Sequence, residues 1–296
     1  MRRIVAILTA AFLAGSMPGP AGTMAAADAA GSGGGAEPPS ANAGTGADRR
    51  PARVVSTNLC TDLLALLLAE PGQLVSVSHV VHDPVASPLH QMAGAIPENH
   101  GAAEEIHLLA PDLVLAGEWD DPVPLAMLES LGIRVERFAI ERDFDDARAN
   151  IRRVAALLGV PERGEAAVAE LDAGLADEKA PPWHERPVAV VLGAGSWTSG
   201  AGTLTDAVLA AAGFRNLAAE RGISGMGRLS LEELLLAQPD LIIVGDTYGT
   251  PALAEERLRH PAARGLGRTR RVAMPDNLWT CGTPLLAEAV AMLRAE

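Results

Sequence analysis

One 14-residue unit occurs twice in this chain, and that duplication limits the possible folds more than any other feature. Residues 104–117 (EEIHLLAPDLVLAG) align without gaps with residues 232–245 (EELLLAQPDLIIVG), at a constant offset of 128. A second pair lies upstream in each half: Thr61-Asp62 before the apolar run 63–69, and Thr205-Asp206 before 207–212, offset by 144. Loop lengths therefore differ between the halves while the order of parts is kept. Each unit reads as a short helix, a turn and a buried strand. Glutamates at the start suit the helix dipole. Proline stops the helix, and Leu-Val-Leu or Leu-Ile-Ile is apolar on both faces, as a strand in a covered parallel sheet must be. Further β-type runs fall at 53–56, 74–77, 134–138, 188–192 and 271–274, with helical stretches between them. The expected fold class is α/β: two Rossmann-like lobes with parallel sheets, joined by a long connecting helix, with a ligand cleft between the lobes.

The connection is visible as a charged, alanine-rich stretch. Residues 145–158 predict one amphipathic helix, stopped around Gly159-Val160-Pro161. Residues 162–179 predict a second, 18 residues long, with Val168, Leu171 and Leu175 on one face and Pro181-Pro182 ending it. At a rise of about 1.5 Å per residue it reaches roughly 27 Å, enough to bridge two lobes. The expected organisation is an N-terminal lobe at 51–158, a connecting helix at 159–183 and a C-terminal lobe at 184–296.

The first residues bear on the compartment. Arg2 and Arg3 precede an apolar run of 12 residues, 4–15, followed by small residues. That run is short of the roughly 18–20 residues a membrane span requires. Residues 1–27 therefore read as a cleaved secretory signal, with Ala25-Ala26-Ala27 as the preferred site, rather than as a retained anchor. No cysteine precedes Cys60, so nothing near that site could carry a lipid. Residues 28–50, rich in Gly, Ala, Ser and Pro, read as a flexible linker. The formal net charge of −13 becomes −15 once Arg2 and Arg3 are removed, which repels nucleic acid and anionic lipid. The mature chain is expected to be an exported monomer, not inserted in a membrane.

Ligands of open parallel sheets bind beyond the carboxyl ends of the strands. Those loops are 57–60, 78–82 and 118–120 in the first half, and 195–199, 246–248 and 277–281 in the second. The chain has only four Trp, one Tyr and four Phe. Trp119, Trp197, Trp279 and Tyr248 nevertheless all fall in these loops. They read either as caps on hydrophobic cores or as the walls of a cleft for a large, ring-bearing ligand.

The doubled Glu-x6-Pro-Asp-Leu unit, the connecting helix and the opening segment RVVSTNLCTD at 53–62 together resemble the periplasmic binding proteins for iron-siderophores, haem and vitamin B12, which serve ATP-driven (ABC) importers. The resemblance runs from about residue 53 to 296. It implies capture of a metal chelate, a ferric siderophore or cobalamin, and its delivery to a permease dimer, with no catalysis and no resident cofactor or metal. It also implies one glutamate per lobe that pairs with permease arginines. By motif position these are Glu104 and Glu232, which otherwise read as ordinary helix-start carboxylates. The expected ligand-binding residues are Asn58, His79, Trp119, Ser196, Trp197, Tyr248 and Trp279. Cys60 and Cys281 join them, one at the start of a helix in each lobe, either as thiols facing the chelate or as small buried residues. Both are expected to be free, because a bond between them would lock the lobes together.

Other readings have some support. Haem could be held axially by His79 or His82. A bare-metal receptor could draw on His79, His82, His90, His100 and His107, but zinc or manganese needs three or four convergent donors. The second half offers only His184 and His260, neither at a strand end, although Asp246 is. The cleft loops lack an arginine cluster for a catecholate, although Arg221 and Arg228 lie in an adjacent glycine-rich loop. An enzyme would rest on residues 200–205 (GAGTLT), which lack the third glycine of a dinucleotide loop. Neither Gly-x-Ser-x-Gly nor His-Glu-x-x-His occurs. The chain is therefore not expected to be an enzyme.

Overall fold

In the computed structural model, residues 50–176, 181–245, 261 and 266–296 are described. The expected signal peptide, the linker up to residue 49, Asp246, Tyr248 and His260 lie outside them. The first half runs β1 (Val54–Ser56), α1 (Leu59–Leu68), β2 (Leu74–Ser78), α2 (His90–Ala93), β3 (Glu98–Asn99), α3 (Ala103–Leu108), β4 (Leu113–Gly117), α4 (Pro122–Ser130) and β5 (Val135–Phe138). These strands form a parallel sheet in the order β3-β2-β1-β4-β5. Two helices follow, α5 (Phe144–Leu158) and α6 (Pro161–Leu175). The second half runs β6 (Val188–Leu192), β7 (Trp197–Ser199), α7 (Leu204–Ala211), β8 (Arg215–Asn216), α8 (Leu217–Glu220), β9 (Met226–Arg228), α9 (Leu231–Ala237), β10 (Leu241–Gly245), β11 (Arg270–Met274) and α10 (Leu286–Arg294). Its parallel sheet has the order β11-β10-β6-β8, and β7 pairs with β9 antiparallel. Read from the same edge, β2-β1-β4-β5 and β8-β6-β10-β11 are one topology built twice.

Specific hydrogen bonds explain why the repeated residues recur. Asp112 accepts from the backbone N–H groups of Ala52 (2.7 Å) and Arg53 (3.0 Å), and Asp240 accepts from that of Val188 (2.7 Å). In each half the aspartate of Pro-Asp-Leu thus anchors the entry into the first strand. The residue before each proline lies just past its helix at positive φ, Ala110 at 45° and Gln238 at 48°. That conformation costs a non-glycine residue about 1–2 kcal/mol, yet both copies adopt it. The upstream pair is matched too: Asp62 accepts from the Ser78 N–H (3.1 Å) and Asp206 from Asn216 Nδ2 (3.0 Å). Each ties the first helix of its half to the strand that follows.

The linking helix α6 is shorter than expected. It spans 15 residues and its C-cap is Ala176, a length of about 22 Å. It touches both lobes through glycines. A Cβ on Gly164 would lie 2.5 Å from that of Ala155 on α5, and one on Gly174 would overlap Ala287 on α10. Arg148 pairs with Asp172 and Arg152 with Glu165 along the α5–α6 seam. At the other end, Arg294 donates to the carbonyls of Gly174 and Leu175. One apolar cluster runs through these helices from Leu64 and Leu113 in the first lobe to Leu209 and Leu241 in the second, by way of Ile151, Leu171 and Val290. Residues Ala47–Glu296 accordingly form one compact unit. Among the described residues, no helix is long and apolar enough to cross a membrane.

Candidate functional site

A pocket of about 240 Å³ opens at the carboxyl ends of β1, β4 and β5, lined by Asn58, Cys60, Leu64, Trp119, Phe138, Ile140, Glu141 and, from the second lobe, Thr280 among others. Its floor is made by the entry into α1. Asn58 is the N-cap of that helix and accepts from the Cys60 N–H at 3.0 Å. Its wall is the loop after β4, which is held by one carboxylate. Asp120 accepts from the Thr57 hydroxyl (2.7 Å), Asn58 Nδ2 (3.2 Å) and the Gly117 N–H (2.9 Å). Gly117 has no room for a side chain, since a Cβ there would lie 2.6 Å from Asn58 Nδ2. With its base fixed in this way, the loop turns Trp119 outward, 78% exposed at the pocket.

Among the described residues, three contacts beside this pocket tie the two lobes together. Cys60 and Cys281 form a disulfide with Cα atoms 5.1 Å apart. This corrects the expectation of free thiols. Locking the lobes together, given above as the reason against a bond, is what the bond does. Neither sulfur is then a thiol able to face a chelate. Asn277 Nδ2 donates to the Val85 carbonyl at 3.2 Å. A side chain on Gly282 would strike Glu141, which is itself buried and accepts from Asn150 Nδ2 at 2.7 Å. Beneath the floor lies Asp62, fully buried. Burial pushes its carboxyl up to about 7, partly offset by hydrogen bonds from Ser56 and Ser78, with the nearby Asp120 carboxylate adding to the rise.

The other expected ligand residues are dispersed. His79 is exposed, and its ring stacks on that of His100 with centroids 4.9 Å apart. Trp197 is 43% exposed on β7, and the Arg228 guanidinium lies 4.9 Å above its ring. Ser196 precedes it, buried, at φ 64°. Trp279 is packed in the main core, 4% exposed, and its indole N–H donates to Asp276 at 3.2 Å. Tyr248 lies outside the described residues. Phe138, Ile140 and Glu141 were missed by the sequence reading, which did not consider the loop following strand 134–138. The carboxyl-end rule that placed Asn58 and Trp119 would have found them. Glu104 and Glu232 are both exposed, each the second residue of its helix. Among the described residues, no three His, Cys, Asp or Glu side chains come together to hold a metal ion.

Known proteins share this sequence pattern and fold. The periplasmic binding protein family matches residues 54–271. A curated cobalamin-binding protein of Halobacterium salinarum is 30% identical over 215 residues, 71% of this chain and 58% of its own length. The chain thus spans under two thirds of that relative. Among solved structures, the periplasmic haem-binding protein RhuT of Roseiflexus sp. RS-1 is 27% identical with a TM-score of 0.66, covering 82% of this chain and 96% of its own. A periplasmic haem-binding protein of Pseudomonas aeruginosa is likewise 27% identical, with a TM-score of 0.65 and coverage of 83% and 92%.

Proposed function

Since the chain belongs to the periplasmic binding protein family, we propose that it is the substrate-binding component of an ABC importer, capturing a metal chelate and handing it to the membrane permease. Members of this family bind their substrates and do not transform them. The observation that carries the proposal is the pocket itself, built from strand-end loops of one lobe, flanked by the exposed face of Trp119 and touched from the other lobe by Thr280.

The lining narrows the cargo. Among the described lining residues there is no imidazole, thioether or phenol, and the Cys60 sulfur is committed to the disulfide. Such walls suit a chelate whose metal is already fully coordinated. Phe138, Ile140, Leu64 and Trp119 would cover its apolar faces, while Asn58, Thr280 and the exposed Glu118, which also lines the pocket, offer hydrogen bonds. At about 240 Å³ the pocket would take one edge of such a ligand rather than all of it, since ligand sites generally run to about 300–1,000 Å³. Cobalamin is placed first, because the curated relative is named for it; a ferric siderophore shares the same chemistry.

Haem is the second reading. It is favoured by the two haem-binding structures, each 27% identical to this chain. Tryptophan-quenching titration of the purified protein against cyanocobalamin, ferric siderophores and haemin, with Zn²⁺ and Mn²⁺ as controls, tests the proposal. Saturable sub-micromolar quenching by cyanocobalamin supports it, as does quenching by a ferric siderophore. Saturation by haemin alone moves the cargo to haem, and a response to free metal alone overturns the chelate reading.

A further inference from the structure

Seven of the fourteen positions in the repeated unit are identical between the halves, and five of the seven have a structural explanation. Glu105 accepts from the His100 N–H (2.8 Å) and Glu233 from that of Ser230 (2.7 Å). Pro111 and Pro239 are buried at the turn. Asp112 and Asp240 anchor the first strands, and Leu113 and Leu241 lie in the core. Gly117 and Gly245 leave room for Asn58 and Asp276. The remaining two identities are Glu104 with Glu232 and Leu108 with Leu236. Leu108 is 84% exposed and Leu236 is 81% exposed, the two most exposed large apolar side chains among the described residues. Each stands four residues after its glutamate, on the same face of a short helix.

A single exposed leucine needs no explanation. Recurrence at equivalent positions, beside an equally recurrent carboxylate and with no role in folding, does need one. We propose that Leu108 and Leu236 are the apolar anchors of two copies of one docking contact, occupied by the two halves of a twofold-symmetric permease. This rests on the importer reading above. The partner must present, twice, an apolar recess beside a basic side chain. A second copy of this chain fits poorly, because pairing these patches would set glutamate against glutamate on a protein of net charge −13. The two side chains divide the work. Exposed glutamates steer encounter and set the association rate, whereas a leucine buried on contact slows dissociation.

The experiment begins in cells producing the full protein, with photo-crosslinking benzoylphenylalanine at position 108 or 236. Position 123, where Val123 is 73% exposed but not repeated, is the control. Both test positions are expected to capture the same polytopic ABC permease, and the control is not. With that permease in lipid nanodiscs, Leu108→Ser and Leu236→Ser should each speed dissociation about tenfold, and the double variant about a hundredfold. Association rate, thermal midpoint and cyanocobalamin affinity should be unchanged. Glu104→Gln with Glu232→Gln should instead slow association and weaken its salt dependence. If the glutamate variants act and the leucine variants do not, the inference is overturned while the importer reading stands. If neither pair acts, both fall. Crosslinks between copies of this chain, or to no permease, also overturn the inference.

Discussion

Cys60, in the first turn of α1, is bonded to Cys281 of the second lobe, closing 221 residues of chain at the edge of the pocket. The bond stands beside the Asn277–Val85 hydrogen bond and the close contact of Gly282 with Glu141. Three ties at one seam leave little freedom for the lobes to separate. A cleft held in this way is set to receive ligand with small movements, and the helix α6 supports the same geometry from behind.

Thiol titration of the unfolded, unreduced protein should accordingly find no free thiol. Replacing both cysteines by serine should lower stability by about 3–5 kcal/mol, the range expected for so long a closed loop. The measurement is the denaturant midpoint with and without reductant. A wild-type midpoint that reductant does not move would show the bond is not formed or not stabilising.

Trp119→Ala should weaken cyanocobalamin binding by about 10-fold, the loss of one aromatic face, without moving the thermal midpoint, because the side chain is exposed. Asp120→Ala should weaken it as well while also lowering the midpoint, since Asp120 holds three donors of the loop base. Titration calorimetry together with melting curves distinguishes the ligand contact from the support.

Gly174→Ala tests the second end of the connecting helix. Helix propensity alone would favour alanine by about 1 kcal/mol, but the new methyl group would overlap Ala287. Overpacking of this kind costs about 1–3 kcal/mol, so a net loss of up to about 2 kcal/mol is expected. Ala287→Gly in the same chain should recover most of it, read as the coupling in a double-mutant cycle by denaturant unfolding.

Asp62 makes stability depend on pH in an unusual direction. Burial raises its carboxyl to about 7 from 3.8, so the folded state keeps a proton that the unfolded chain has already released. The stabilisation is complete below about pH 4 and is lost as pH rises through about 7, with a slope of at most about 1.4 kcal/mol per pH unit. Unfolding titrations from pH 4 to 8 should show this decline, and Asp62→Asn should flatten it. An unchanged slope in the variant would assign the dependence to another group.

Much of the architecture is legible in the sequence. The seven principal strands lie where the β-type runs place them. The central strands β1, β4, β6 and β10 are apolar almost throughout because both faces are covered, whereas the edge strands β5 and β11 keep charged residues among their apolar ones. The strands β3 and β8, two residues each, and the pair β7–β9 have no such run and went unseen. Glu98-Asn99 and Arg215-Asn216 are polar pairs, held at sheet edges by contacts rather than by hydrophobic pattern.

The pattern of the chain alone carries the twofold order of strands and helices, the linking helix and three of the pocket's loops, 57–60, 118–120 and 277–281. These follow from local periodicity and from a repeat that any reader can align. Which side chains in those loops serve the pocket depends on packing between distant segments. Trp119 and Trp279 occupy equivalent kinds of loop, yet the first is turned outward by Asp120 and the second is packed in the core beside Asp276. Packing also decides the pairing of Cys60 with Cys281, because proximity across 221 residues depends on how two lobes dock and leaves no trace in the chain around either cysteine.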